Sequence, residues 1–383
     1  MREEQPKEQV QLFRPETEAT FIDRPNRFTI LGRLPNGSVA RAHSPNPGRM
    51  LELLQPGTKL LLSRSEDPGR KTPYTVVAVR RPRDNRVVPL VSVAANLLAR
   101  ELILPRLFPK AESIRAEVVR GGSRFDFLVE EDGSPTWVEV KSCTLEAEGV
   151  AMFPDAATER GRRHVEELTE ISEGRRMVLF VLQGLEADRF VPDMHADPAF
   201  SLALRRASAE GVEVQAASIG CSAAGVATLR DLEIPVDFGP LKAVDQDSGS
   251  YILHLRLAEE RELTVGKLGS FRFEPGHYIY VGSAMGGLGA RTRRHLGRRK
   301  RFHWHIDHLR SAATGAWVYP IYSVRRLECD LAAAVGRVYP SPVRGFGSSD
   351  CQCESHLFFS REDPSRDPRF VELLLRFRHS LSL

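Results

Sequence analysis

The chain has 383 residues, 42% hydrophobic and 27% charged, with a net charge of +4. That length points to two or three domains, each able to bury a core, and the apolar fraction excludes a disordered chain. The sequence has no run of about 18 uncharged apolar residues, which excludes a membrane-spanning helix. The opening MREEQPKEQV lacks the apolar stretch of a secretory signal, and five Cys in so long a chain do not make a disulfide framework. Reduced thiols and a cytoplasmic location are therefore expected.

The charge is unevenly spread. Residues 21–110 carry 16 basic and 6 acidic side chains, residues 111–248 carry 14 and 26, and residues 249–361 carry 17 and 9. Two basic blocks flanking an acidic middle suit a polyanion such as nucleic acid outside and divalent-metal ligands within.

In chain order, residues 1–20 read as an N-terminal extension. Residues 21–105 read as β-rich, with a turn at PNGSVA (35–40) and strands at KLLLS (59–63) and YTVVAVR (74–80). Short strands with basic loops fit an OB-like barrel. Residues 106–235 alternate strands (123–130, 137–142, 177–182) with a helix (158–172), which is an α/β pattern. Residues 236–248 are rich in Gly, Pro, Asp and Ser and read as a linker. Residues 249–361 restart with strands at 251–257 and 277–283, then helices at 288–300 and 326–335; residues 362–383 read as a tail.

The chemistry concentrates at one hairpin. Asp132-Gly133 favours a two-residue type I′ turn, which pairs Asp126 with Glu139 across neighbouring strands, Cβ atoms about 4.5–5.5 Å apart. Lys141 shares that face, and Phe125, Phe127, Val129, Val138 and Val140 take the other. Facing carboxylates repel unless a cation sits between them. Oxygen ligands of this kind suit Mg²⁺, or Mn²⁺ in its place, and Lys141 could stabilise charge on a phosphoryl group. The same residues also suit a solvated hairpin face with Lys141 screening the acids.

The stretches HSPNPGRMLELLQPG (43–57), GRKTPYT (69–75), EVVRGGSRFDF (117–127), VEVKSCTL (138–145) and FPDAATERGRRHVEEL (153–168) together resemble the sugar fermentation stimulation protein A (SfsA) family. The resemblance covers about residues 20–235. It implies an OB-like domain, a PD-(D/E)XK nuclease-like domain, binding of DNA and also RNA, and nuclease activity with Mg²⁺ or Mn²⁺. The motif falls on Asp126, Glu139 and Lys141 as catalytic residues, with Asp126, Glu139 and the upstream Glu117 as metal ligands. Arg160 and His164 share a helix face and would contact phosphate. Arg49, Arg70 and Lys71 lie in barrel loops that suit phosphate binding; His43 and Asn46 lie there too, and His43 reads as a surface or satisfied residue without a catalytic role.

The C-terminal segment resembles the GIY-YIG nuclease-like superfamily over about residues 249–360, with WHIDHL (304–309) and GFGSSDCQCESHLF (345–358) typical of one uncharacterised branch. Its two motifs fall on Gly249-Ser250-Tyr251 and Tyr280-Val281-Gly282. The resemblance implies catalytic roles for Tyr251, Tyr280, Arg291 and Glu328, and Arg294 on the same basic helix as a nucleic-acid contact. Ser250 replaces the usual Ile, MGGLGAR carries an extra Gly, and the late Asn has no counterpart. A binding module with a decayed site therefore stays open beside a second cutting site. Cys351, Cys353 and His356, with His303, His305 and Cys329 elsewhere, offer zinc-type S/N donors. The C-x-C-x₂-H spacing is not that of a finger, and reduced core or surface residues are expected.

The expected protein is a multidomain nuclease: an OB-like β-barrel, an α/β PD-(D/E)XK-like domain and an α+β GIY-YIG-like domain. A non-catalytic DNA-binding regulator of sugar-utilisation genes is the alternative. The lack of a helix-turn-helix pattern weighs against it.

Overall fold

Residues Thr17–Asn26, Thr29–Arg33, Val39–His43, Lys59–Arg64 and Tyr74–Arg80 form five strands; the first and third alternate buried and more exposed positions, and the last two are apolar enough to bury both faces. In the computed structural model, which describes residues 6–65, 69–91, 93–297 and 301–379, these strands close into a barrel. Antiparallel pairing runs around it, and a short parallel contact (Ala42 with Tyr74, His43 with Thr75) seals it. Leu60 and Leu62 point inward onto Ile30, Val76 and Val79. Leu61, one residue out of phase, packs outside the barrel against Phe13, Val77 and Val87. Closure leaves no free sheet edge among these five strands, as an OB-type barrel requires.

The acidic middle forms a seven-stranded mixed sheet. Its centre pairs Ser134–Cys143, Arg175–Gln183 and Glu213–Cys221 in parallel, and the middle one of these, Arg175–Gln183, is a continuous apolar run from Met177 to Leu182 because both of its faces are covered. Helices Glu159–Thr169 and Pro198–Ala209 supply part of the cover, the first capped by Thr158, whose Oγ1 accepts the Gly161 N–H at 3.1 Å.

Two segments lie differently from the sequence reading. Residues 94–107, of which 94–105 are grouped there with the barrel, are helical and bury Leu98, Leu102 and Ile103 against Phe127, Val129, Val138 and Val140 of the large sheet. The extension is not an appendage either: Gln9–Gln11 pairs antiparallel with Val226–Asp231 and completes the sheet edge.

Barrel and sheet domain are one compact unit to Phe238; a second unit begins at Gly239. In the second, strands Gly315–Tyr322, Gly249–Leu257, Gly276–Ala284 and Leu357–Ser360 form one antiparallel sheet in that order. Helices Leu288–Leu296, His305–Ala312 and Glu328–Val338 belong to it; residues 298–300 of the expected first helix lie outside the described residues. The expected linker holds a helical turn, Lys242–Asp245, and Asp247 Oδ1 accepts the Gly289 N–H at 2.9 Å. The expected tail is helix Pro368–His379, whose Phe370 packs on Tyr319 and Tyr339. No helix among the described residues is long and apolar enough to cross a membrane.

Two charged side chains near the barrel, Arg81 and Glu52, are held differently. Arg81, 2% exposed, bonds Glu146 at 2.5 Å and also Asp84. Glu52 has no such partner on its buried Oε1, and burial, then the nearby Asp155, pushes its carboxyl up to about 8. The folded chain thus keeps a proton that the unfolded chain releases above its ordinary carboxylate pKa. Glu52 should therefore make stability fall as pH rises from the carboxylate range toward 8, by at most about 1.4 kcal/mol per pH unit. Urea denaturation at pH 5, 6.5 and 8 should show a shallower pH slope in Glu52→Gln than in the parent; equal slopes would contradict this.

Candidate active site

The hairpin forms as its turn chemistry requires. Asp132 and Gly133 both have positive φ (50° and 72°), the type I′ signature, and the ladder pairs Trp137 with Leu128 and Val138 with Phe127. One step further, Asp126 and Glu139 occupy the next facing positions. Here the carboxylate of Asp126 replaces a backbone acceptor: its Oδ2 receives the Val140 N–H at 2.8 Å. Opposite Asp126 on the outer strand, Glu117 has left-handed backbone, φ 55°, between the pairs Ala116–Phe127 and Val118–Phe125. The pleat is broken at this point. Phe125 accordingly leaves the face expected for it and packs edge-on against Trp137, ring centres 5.8 Å apart.

The two acids differ in how they are held. Asp126 Oδ1 accepts from Asn96 Nδ2 at 2.7 Å, so both of its oxygens are engaged. Glu139, 3% exposed, accepts twice on Oε1, from Lys141 Nζ at 2.5 Å and opposite His164 Nδ1 at 2.7 Å. Its Oε2 is buried and has no hydrogen-bond partner. Burial and the adjacent Glu139 charge push the Asp126 carboxyl above its usual range. A buried acceptor without a partner costs about 1–3 kcal/mol, and a hard divalent cation supplies what both carboxylates lack. Oxygen donors, a free lone pair and a like-charged neighbour together fit Mg²⁺ or Mn²⁺.

The pair opens into a cavity of about 250 Å³ lined also by Glu117, Arg124, Thr158 and Arg160. Arg160 stands exposed at its wall, where a phosphate could reach it. His164 does not: it is 8% exposed and turned onto Glu139, so its place is behind the carboxylate rather than on phosphate. Glu117 is at the rim, 67% exposed and 3.5 Å from Arg124. In the barrel, Arg49, Arg70 and Lys71 are exposed on loops; the Arg49 loop is tied down by Arg24, which donates to the Asn46, Gly48 and Arg49 carbonyls. Asn96 escaped sequence reasoning because the Ala94–Leu98 helix carried no recognisable signal.

In the second unit Tyr251, Tyr280, Arg291 and Glu328 lie close enough to act on one another electrostatically. Gly282 faces the Tyr251 ring, and any Cβ there would meet its hydroxyl at 2.4 Å, so this motif glycine is required for space. Tyr251 is 1% exposed, with its hydroxyl 2.9 Å from His295 Nε2. Burial pushes both tyrosine hydroxyls up. Arg291 lies 4.0 Å over the Trp304 ring. Against burial, His356 and Ser283 hold the Glu328 carboxyl below its usual range. Arg294, expected on phosphate, is instead engaged by both oxygens of the buried Asp307 at 3.0 and 2.8 Å.

A closed five-stranded barrel joined to an α/β sheet with paired acids at a hairpin, and followed by an antiparallel GIY-YIG-like domain, defines a multidomain protein with an OB-like barrel and nuclease-like modules. Its parts match three families: the SfsA N-terminal OB domain (residues 22–89), the sugar fermentation stimulation protein RE domain (92–225) and a domain of unknown function, DUF123 (250–378). The chain is 40% identical over 227 residues to a sugar fermentation stimulation protein homolog of Chloroflexus aurantiacus, covering 58% of this chain and 86% of that one. It is 43% identical over 200 residues to the homolog of Methanothermobacter thermautotrophicus, covering 51% and 82%. The structure of Pyrococcus furiosus SfsA in complex with Ca²⁺ superposes with a TM-score of 0.53 and 27% identity over 60% of this chain and 99% of that one. The chain belongs to the SfsA family and carries a DUF123 domain after it.

Glu139→Gln keeps an acceptor for Lys141 and His164, places an amide at the unpartnered position and removes the repulsion on Asp126. Without metal its melting temperature should equal or exceed that of the parent. The rise in melting temperature that Ca²⁺ or Mn²⁺ gives the parent should vanish. A rise of equal size in both proteins would show that the cation binds elsewhere.

Proposed function

We propose that this chain is a cytoplasmic, divalent-metal-dependent nuclease that hydrolyses phosphodiester bonds of DNA, and of RNA as well, at the Asp126–Glu139 site. The observation that carries this is the unpartnered, buried Oε2 of Glu139 beside Asp126 in an open cavity. Asp126 and Glu139 would hold Mg²⁺ or Mn²⁺, and Glu117 at the rim could join them on substrate binding. The bound ion would polarise the phosphodiester and lower the pKa of a water. Lys141, 2.5 Å from Glu139, would stabilise charge on the phosphoryl oxygens. His164 keeps Glu139 oriented, a positioning role. Arg160, with Arg49, Arg70 and Lys71 on the barrel, would receive neighbouring phosphates as sequence-independent contacts. The Ca²⁺ in the Pyrococcus furiosus relative supports a divalent-ion site in this fold, and five free thiols suit a reducing compartment.

For the C-terminal unit the binding role is favoured over a second cutting site. A tyrosine with 1% exposure and its hydroxyl closed against His295 is not presented to a phosphodiester. Exposed cations of that unit would add a further nucleic-acid contact.

Single- and double-stranded DNA and RNA incubated with Mg²⁺, Mn²⁺ or EDTA test this. Cleavage should need the metal and fall at least about 100-fold in Glu139→Ala and in Lys141→Ala. Salt-sensitive binding without cleavage under any metal would instead make the protein a DNA-binding regulator. Activity surviving Glu139→Ala but lost in Arg291→Ala would place the cutting in the C-terminal unit.

A further inference from the structure

Four sulfur and nitrogen donors converge in the second unit. Cys329 comes from the first turn of helix Glu328–Val338. Cys351, Cys353 and His356 come from the irregular segment that leads into strand Leu357–Ser360. All four donor atoms lie within 4.8 Å of one another, and Cys351 Sγ is 3.4 Å from His356 Nε2. His303 and His305, the other candidates in sequence, are not part of this group. The thiols are all free.

We propose that Cys329, Cys351, Cys353 and His356 form a closed, four-ligand structural zinc site that fastens this segment to the helix. With Zn–S about 2.3 Å and Zn–N about 2.0 Å, tetrahedral ligand atoms stand about 3.5–3.8 Å apart; the Cys351–His356 separation of 3.4 Å is close to that, and none of the others exceeds 4.8 Å. Three thiolates and one imidazole select zinc over the hard Mg²⁺ that suits the Asp126–Glu139 pair. A three-thiol cluster also leaves one sulfur over from any disulfide.

The local structure has the form such a site takes. Gly345 and Gly347 both have φ 72°, and the segment folds back through Gly345 N–H to Glu354 O at 2.9 Å and His356 N–H to Phe346 O at 2.8 Å. It has no helix or strand of its own to hold it, which is the situation a metal cross-link addresses. His356 turns Nε2 into the cluster, and its Nδ1 faces Glu328 Oε1 at 3.5 Å. A carboxylate behind a ligating histidine fixes its ring and tautomer. The same Glu328 accepts from Ser283 Oγ at 2.5 Å. Glu328, to which the superfamily resemblance assigns the acidic role, thus serves as the outer partner of the zinc ligand.

The test uses the full chain, with any affinity tag removed, purified from zinc-containing medium and passed through a chelating column. Elemental analysis should find about one zinc per chain. The content should fall at least about 10-fold in Cys351→Ser/Cys353→Ser and stay unchanged in Glu139→Gln. Because the double variant could fail to fold, the parent protein is also loaded with Co²⁺. Intense visible d–d bands of a tetrahedral ion and a near-ultraviolet thiolate-to-cobalt band are expected. Zinc-free parent protein with a silent cobalt spectrum, or zinc retained in the double cysteine variant, would overturn the proposal.

Discussion

Two carboxylates forced into one buried corner govern the first unit. Asp126 and Glu139 share a face because the turn between their strands fixes the register, and neither can move away without breaking the hairpin. Elsewhere in the same unit a buried acid is fully answered: Glu146 meets Arg81 and Arg83, each at 2.5 Å. At the hairpin the answering groups are distributed unequally. Asn96 and the Val140 N–H satisfy Asp126; Lys141 and His164 crowd a single oxygen of Glu139 and leave the other bare. Burying like charges with one lone pair unmet is destabilising for an apo fold. It is what a cation site requires, and the surrounding elements are arranged to maintain it.

Those elements come from far apart in sequence. The helix that follows the barrel brings Asn96, the parallel strand Arg175–Gln183 backs the Glu139 strand, and the capped helix Glu159–Thr169 brings His164 behind the acid and Arg160 in front of it. The left-handed Glu117 breaks the outer pleat where the cavity opens. Strained backbone of this kind is sustained only where the surroundings fix it, and such places cluster at functional sites.

The hairpin was legible in sequence because Asp-Gly chemistry sets both turn type and register, and its two strands are long enough to carry that register to Asp126 and Glu139. So were the barrel, the Glu159–Thr169 helix and the GIY-YIG-like strands. What was not legible depended on tertiary contacts. Residues 94–105 were grouped with the barrel, yet they pack under the large sheet. His164 and Arg294 lie on basic helices that suggest phosphate; their actual partners, Glu139 and Asp307, lie 25 and 13 residues away in sequence. The zinc-type donors were visible in sequence, but not which of them converge: Cys329 lies on a helix apart from the C-x-C-x₂-H run, whose spacing matches no finger, and it joins the group where His303 and His305 do not.

Oxygen donors in one unit and thiols with an imidazole in the other suit two different kinds of metal, and the proposed catalytic account stands on the first. Crystals of the full chain soaked in Mn²⁺ and recorded at the manganese absorption edge examine it directly. The account predicts an anomalous peak bonded to Asp126 and to Glu139 Oε2, with Lys141 still on Oε1. No peak at these carboxylates under saturating Mn²⁺ would contradict it.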